Sequence, residues 1–192
     1  MPRINPPSID AMSVEQRRIH DLIASGPRGG VRGPLAVWLN RPEMAESAQA
    51  LGQFCRYDST LPARLSELAI LTLARLWKSE YEWWAHKPHA LVAGLCQDVI
   101  DAIRDGQPIP FQKKDEALVH EFLQVLHETR RVPEELYRSL ESEIGQNGLV
   151  DLVALAGYYT LVSMTLNVFE VEPPAGEERE LSTTTNMSTG SV

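Results

Sequence analysis

Cysteine is scarce in this chain, and the two that occur stand far apart. Cys55 and Cys96 are the only cysteines among 192 residues, and they form no CxxC arrangement. We therefore expect no disulfide framework, and we expect a reducing compartment, the cytoplasm. Isolated cysteines of this kind usually fill space in a core, so we assign neither a catalytic role. The first ten residues hold no apolar run, so we expect no secretory signal.

Basic residues are also in the minority, with 18 Lys and Arg against 26 Asp and Glu and a net charge of -8. No basic stripe is present to meet phosphates, so we expect no nucleic-acid partner. The N-terminal arginines, Arg17, Arg18, Arg28 and Arg32, are dispersed, two of them among Gly and Pro, and we interpret them as surface residues. The hydrophobic content of 43% is typical of a globular protein.

Runs with the alternation of a β-strand are absent, and helical signals dominate. The sequence therefore predicts an all-α protein with short loops between mostly antiparallel neighbours. One run, residues 149–169, carries a single charge and is long enough to span a bilayer. It also contains several Tyr, Thr, Ser and Asn residues, so we interpret it as a helix buried in a core or a subunit interface and expect no membrane partner.

Caps and helix breakers divide the chain. Ser13 and Gln16 form a capping-box pattern that opens a first helix, ending near Gly26. Further helices are predicted at about 42–57, 62–77, 79–94, 97–104, 115–130 and 133–145, followed by the apolar helix after Gly148. His120 and His127 lie two turns apart on one of these helices, and we interpret them as part of its polar face.

Composition suggests three parts. Residues 1–40 form a helical arm with a Gly/Pro-rich loop at 26–34, and residues 41–171 form the main domain. Residues 172–192 are rich in Pro, Gly, Glu, Ser and Thr, which predicts a disordered C-terminal tail.

A single acid stands out in the helix predicted at 61–77, which is apolar almost all the way round. The neighbours of Glu67 three, four and seven places on are Ile70, Leu71 and Ala74. An ionised carboxylate in such company is costly unless it is paired or hydrogen-bonded. Glu67 therefore predicts a buried partner.

The next helix offers that partner. Glu82 and His86 are four residues apart and share a face with Trp83. An antiparallel hairpin with its turn near Lys78 places Glu67 opposite residues 86–89. Glu67, Glu82 and His86 then converge in one pocket, where burial and mutual charge separate their pKa values. The plainer alternative is a solvated i,i+4 pair, which contributes only about 0.3–0.5 kcal/mol.

Several other side chains are candidates for the walls of this pocket. They are Ser79, Tyr81, Trp83, Trp84, His89 and Asn167. Tyr159, a second polar residue of the apolar helix, is a candidate for the same pocket or for a subunit interface. Glu82, His86 and His89 have the spacing of metal ligands on one helix face, but the pattern is no specific signature, and we predict no metal.

The hairpin segment LPARLSELAILTLARLWKSEYEWWAHKPHALVAGL resembles the core of the carboxymuconolactone decarboxylase family, which includes the alkylhydroperoxidase D-like proteins. The matching residues are Glu67 and then Ser79-x-x-Glu82-x-x-x-His86, and a looser likeness covers residues 41–171. The resemblance implies an alkylhydroperoxidase D-like helical bundle built around an antiparallel helix hairpin. It also implies a homo-oligomer, a trimer or hexamer, with the long apolar helix buried in it.

The departure from the peroxidase branch matters equally. That branch uses a glutamate, a CxxC pair and a histidine, whereas Ser79 and Glu82 occupy the two cysteine positions here. Serine and carboxylate do not form the disulfide of thiol peroxide reduction. The chain is thus similar to the decarboxylase branch, which lacks the CxxC pair and needs no metal or organic cofactor.

The resemblance implies a cofactor-independent lyase that acts by proton transfer on a small organic acid or lactone. Glu67 and Glu82 would be the acid/base pair, and His86 would hold or relay the proton. A carboxylate substrate would also need a cation, for which Arg56, Arg64 and Arg75 are candidates. Two alternatives stay open: a peroxidase working through Cys55 or Cys96, and a non-catalytic ligand-binding oligomer.

Overall fold

The computed structural model describes residues 2–181, and within them every regular element is helical. This confirms the all-α prediction. A 3₁₀ turn, Ile9–Ala11, precedes the first α-helix, and a π-helical turn, Phe54–Asp58, extends the third. The α-helices are α1 Val14–Ser25, α2 Pro34–Trp38, α3 Pro42–Gln53, α4 Ala63–Trp77, α5 Glu80–Val92, α6 Gln97–Asp105, α7 Lys114–Thr129 and α8 Glu134–Val168.

Helix α4 is the centre of the bundle and packs against α5, α6, α7 and α8. Every residue from Leu65 to Ala74 is buried, Glu67 included. A helix that is apolar all round has no solvent face, so it must be enclosed by other helices. Each buried Leu or Ile contributes about 1.5–3 kcal/mol, so this helix contributes strongly to the stability of the core.

Helices α4 and α5 form the predicted hairpin. The chain reverses at Lys78, whose backbone is left-handed (φ 50°), and Ser79 follows as the residue before α5. The Ser79 amide donates to the Ala74 carbonyl at 2.8 Å, which closes the turn. Ser79 holds the N-cap position of α5, but its side chain makes no capping hydrogen bond.

Helix α8 is interrupted about a third of the way along its length. Gly145 has φ 71° and ψ 170°, outside the helical region, so the predicted helix end at this glycine is confirmed. The apolar part beyond it is long enough to cross a membrane, yet 61% of its most apolar 18-residue stretch is buried inside the protein. This burial is what the sequence predicted for a core helix.

The N-terminal segment belongs to the same core as the rest of the chain. Ile19 and Ile23 of α1 and Leu35 and Trp38 of α2 are buried in it. The capping box of Ser13 and Gln16 is present, as predicted. Helix α2 was not predicted; the Trp38 indole N–H donates to the Thr165 hydroxyl at 3.0 Å and anchors it to α8.

The described part of the C-terminal tail differs from the prediction of disorder. Residues 172–181 have no regular secondary structure, but Leu181 is only 2% exposed. Glu180 pairs with Lys87 of α5 at 2.7 Å. An apolar anchor, ion pairs of Glu180 with Lys87 and Arg104, and a hydrogen bond from the Leu181 amide to Glu80 thus hold a segment whose composition alone suggested disorder. Residues 182–192 lie outside the described residues.

Candidate active site

The hairpin brings the three predicted residues together. His86 Nδ1 donates to Glu67 Oε2 at 2.6 Å, and His86 Nε2 lies 3.0 Å from Glu82 Oε1. All three residues are at most 8% exposed. The imidazole is therefore held between two buried carboxylates, one from each helix of the hairpin.

This arrangement fixes the protonation of His86. Burial alone disfavours the imidazolium, but the charge of Glu82 and the hydrogen bond to Glu67 favour it more strongly. Together they raise the pKa of His86 from 6.5 to about 9. At neutral pH both ring nitrogens carry protons, each directed at a carboxylate oxygen.

A pocket of about 510 Å³ opens beside this group. Glu82 and His86 line it, whereas Glu67 lies on the far side of the imidazole and does not. The volume suits a small organic molecule. Glu82 is thus the carboxylate that can reach a bound compound, and Glu67 acts on it only through His86.

Aromatic rings form much of the pocket wall. Tyr81 and Trp84, two of the candidate wall residues, line it with their rings 5.5 Å apart. Tyr159 of α8 lines the pocket and stands edge-on to His86, with ring centroids 5.3 Å apart. Burial raises the pKa of Tyr159 well above 10, so its hydroxyl stays protonated.

Three predicted wall residues lie elsewhere. Ser79 and Trp83 are buried but do not line the pocket, and Asn167 is exposed. The Asn167 side-chain amide donates to the Trp77 carbonyl at 2.7 Å and caps the end of α4. Polarity within an apolar helix showed that Asn167 needs a partner, but not which one.

His89 does line the pocket, at its exposed rim, with its ring 5.9 Å from that of His86. Burial and the nearby charge of Arg56 lower the pKa of His89. Among residues 2–181, no group of three His, Cys, Asp or Glu side chains is arranged to hold a metal ion. Both ring nitrogens of His86 face carboxylates, so this imidazole has no free lone pair with which to bind a metal alongside Glu82 and His89.

Of the three candidate cations, only Arg56 lies in the pocket. Arg64 pairs instead with Asp115 at 2.7 Å and with Glu116, and Arg75 lines a different cavity.

Two further arginines were missed. Arg28 and Arg32 line the pocket, a position that their interpretation as surface residues did not include. Arg32 is exposed, which agrees with that interpretation, whereas Arg28 is only partly exposed. The glycines of the stretch that carries them, residues 26–34, indicate that its backbone can pass close to other groups. They do not show which surface the loop covers.

The cysteines do not meet at this pocket. Cys55 is buried, and burial together with the charge of Asp151 raises its pKa to about 11, so the thiol is protonated at neutral pH. Cys96 is exposed. Neither residue lines the pocket. A protonated thiol is a poor nucleophile, which weighs against a role for Cys55 in peroxide reduction.

No family model and no curated protein sequence matches the chain. Solved structures with the alkylhydroperoxidase AhpD core do. An uncharacterized peroxidase-related protein from Ralstonia eutropha JMP134 superposes with a TM-score of 0.75 at 15% identity, covering 91% of this chain and 93% of its own. One from Silicibacter sp. TM1040 gives 0.72 at 13% identity, covering 91% and 92%. A protein of unknown function from Agrobacterium tumefaciens gives 0.65 at 15% identity, covering 74% and 99%.

These likenesses confirm the predicted alkylhydroperoxidase D-like fold. At such low identity they carry the fold alone, and the chemistry rests on the residues of this chain.

Proposed function

We propose that the chain is a cofactor-independent enzyme resembling carboxymuconolactone decarboxylase, which moves protons on a small organic acid or lactone. The supporting observation is the His86 imidazolium held between two buried carboxylates, of which Glu82 opens to the pocket. Acid and base sit side by side, and the pocket is large enough for a small ring compound.

The roles follow from position. Glu82 is the base, because it is the carboxylate on the pocket side. His86 supplies a proton to Glu82 or to the substrate, and its edge also lines the pocket. Glu67 is a positioning residue, since it contacts the imidazole and not the pocket. Its hydrogen bond adds to the charge of Glu82 in raising the pKa of His86. This role differs from the one that the sequence predicts for Glu67, which is to act with Glu82 as the acid/base pair.

For a decarboxylation the electron balance is as follows. The bond between carbon and the departing carboxylate breaks, and carbon dioxide leaves. The electron pair enters the adjacent conjugated system. The carbon that gains this density takes a proton from the Glu82–His86 pair, which is then restored from solvent. An isomerisation uses the same pair without loss of carbon dioxide.

A peroxidase is the second candidate, because two of the structural neighbours are described as peroxidase-related. The residues of this chain favour it less, since Ser79 and Glu82 replace the CxxC pair and the thiol of Cys55 has a raised pKa. Peroxide consumption that disappears in a Cys55→Ser, Cys96→Ser double variant would favour this candidate. A ligand-binding oligomer without turnover is the third.

The test is turnover of a panel of small lactones and organic acids by the wild-type chain and by single variants. Glu82→Gln and His86→Asn should each lower kcat by about 100- to 10,000-fold, the usual contribution of general acid–base groups. Glu67→Gln should shift the pH–rate profile to lower pH, because it lowers the pKa of His86. His20→Asn, outside the pocket, is the matched control.

Activity that survives both Glu82→Gln and His86→Asn would overturn the proposed roles. Binding of panel compounds, seen as a shift in melting temperature without turnover, would favour the non-catalytic alternative.

A further inference from the structure

Three arginines line the pocket beside Glu82 and His86: Arg28, Arg32 and Arg56. Arg28 and Arg32 come from the loop between α1 and α2, and Arg56 comes from the π-helical turn after α3. None of the three forms an ion pair with a carboxylate of residues 2–181. In contrast, Arg64 and Arg104 each pair with two or more acids.

The local charge balance is therefore positive. Glu67, Glu82 and the His86 imidazolium together carry one net negative charge, which three guanidinium groups outnumber. The chain as a whole carries -8. A positive pocket in an acidic protein attracts and retains small anions, since fields are concentrated in a cleft with low-dielectric walls.

Arg28 is the most constrained of the three. Its Nε and Nη2 atoms are buried and make no well-formed hydrogen bond with the described residues, although the guanidinium is close enough to the Tyr158 hydroxyl to oppose the burial that raises the pKa of that hydroxyl. Unsatisfied buried donors are costly, most of all on a charged group. An oxyanion bound in the pocket would supply the missing acceptors, and guanidinium groups bind carboxylate and phosphate in a two-pronged geometry.

Gly52 makes room for this arginine. A Cβ atom at position 52 would fall 2.1 Å from the Tyr158 hydroxyl and 2.6 Å from Arg28 Nη2. Arg28 and Tyr158 therefore meet over a bare backbone, and both line the pocket. This close approach indicates that the guanidinium is seated in the wall and does not extend freely into solvent.

Arg32 and Arg56 complete the ring of charge. The Arg56 guanidinium lies over the Tyr57 ring, 5.4 Å from its centroid, which holds the side chain against the pocket wall. Arg32 is close enough to Tyr81 for its charge to oppose the burial that raises the pKa of that hydroxyl. The three cations thus approach the pocket from two elements, the loop before α2 and the π-helical turn after α3.

We infer that Arg28, Arg32 and Arg56 form an oxyanion subsite, which binds a carboxylate or phosphate group of the substrate and directs its reacting part toward Glu82 and His86. This inference rests on the proposed function for the identity of the reacting groups. Two of the three arginines lie outside residues 41–171, the region with the family resemblance. The N-terminal segment therefore supplies the specificity of this site.

The test is calorimetric titration at low ionic strength with succinate, inorganic phosphate and, as an uncharged control, succinamide. We expect succinate or phosphate to bind and succinamide not to bind. Arg28→Gln, Arg32→Gln and Arg56→Gln should each weaken that binding by about tenfold or more, the usual effect of losing a charged hydrogen bond. Arg131→Gln, an exposed arginine outside the pocket, should change it less than twofold.

Preference between the two anions identifies the group that the subsite takes. Failure of both to bind the wild-type chain, or equal binding by the arginine variants, would overturn the subsite. Melting curves show whether each variant is folded. If Arg28→Gln does not fold, Arg28→Lys is used in its place; this variant keeps the charge and should retain part of the affinity.

The subsite and the proposed function can fail separately. In His86→Asn the arginines are untouched, so anion binding should persist while turnover is lost. Turnover that depends on Glu82 and His86 but has the same KM in all three arginine variants would overturn the subsite and leave the proposed function standing. Anion binding that depends on the arginines, without any turnover, would overturn the proposed function and leave the subsite standing.

Discussion

At the scale of the residue, the central finding is that Glu67 needs His86. A carboxylate inside a helix with no solvent face needs a partner, and His86 lies across the α4–α5 hairpin from Glu67. Glu82 lies four residues before His86 on α5, so its side chain reaches the other ring nitrogen of His86. This core of the site could be predicted because burial cost and helical spacing act locally.

Other residues of the site depended on contacts between distant segments. Arg28 and Arg32 reach the pocket because the loop before α2 crosses it, and no local pattern encodes that crossing. The polarity of Asn167 predicts a place in the pocket, but the residue lies at the exposed end of α8, where its side chain meets the end of α4. His120, interpreted as part of a polar face, is buried against Thr72, with Nδ1 and Oγ1 3.0 Å apart.

Ser79 gives a prediction at this scale. Its hydroxyl is buried and makes no hydrogen bond with the described residues, so Ser79→Ala should leave the free energy of unfolding unchanged or raise it slightly. Ser13→Ala, at a working capping box, should lower it by about 1 kcal/mol. Denaturant unfolding compares the two; a loss of similar size in Ser79→Ala would show that Ser79 does cap α5.

At the scale of the element, helix ends were largely predictable and short elements were not. Pro42, Gly26 and Gly145 stand where the structure begins, ends or breaks a helix, because each restricts or frees the backbone locally. Helix α2 has only five residues, too few for a periodic pattern, and is held by its tertiary contacts. The packing of residues 172–181 likewise depends on partners in α5 and α6.

Two glycines of α8 separate backbone strain from packing. A Cβ atom would meet nothing within 4 Å at Gly145 or at Gly157, but only Gly145 has a positive φ. Gly145→Ala should therefore destabilise the protein by about 1–3 kcal/mol. Gly157→Ala should stabilise it by about 0.5–1 kcal/mol, as expected inside a helix. Equal effects in thermal unfolding would show that the break at Gly145 is not a backbone requirement.

At the scale of the whole molecule, two buried histidines act on stability in opposite pH ranges. The pKa of His86 is raised to about 9, so the folded protein binds its proton more tightly than the unfolded chain. The stability it contributes is fully present below pH 6.5 and is lost as pH rises toward 9. Burial lowers the pKa of His120 to about 4, so its contribution is lost as pH falls from 6.5 toward 4.

Between pH 4 and pH 9, we therefore expect the contribution of these two histidines to the free energy of unfolding to be greatest near pH 6.5. Urea unfolding between pH 4 and 9 measures it, and His86→Asn should flatten the alkaline side. Stability that rises from pH 6.5 to 9 would contradict the assignment.

The predicted trimer or hexamer remains a prediction. Helix α8 leaves Val150, Val153 and Val168 more than half exposed, which favours an interface between copies of the chain. Light scattering of the purified protein would measure its mass.

The account depends most on the charge state of His86, and nitrogen NMR of that imidazole tests it directly. We expect both ring nitrogens to be protonated at pH 7 and to titrate with a pKa of about 9. In Glu67→Gln, which keeps the shape of the side chain but removes its charge, the pKa should fall. A His86 that is neutral at pH 7, or one whose titration is the same in wild type and Glu67→Gln, would contradict the proposed active site.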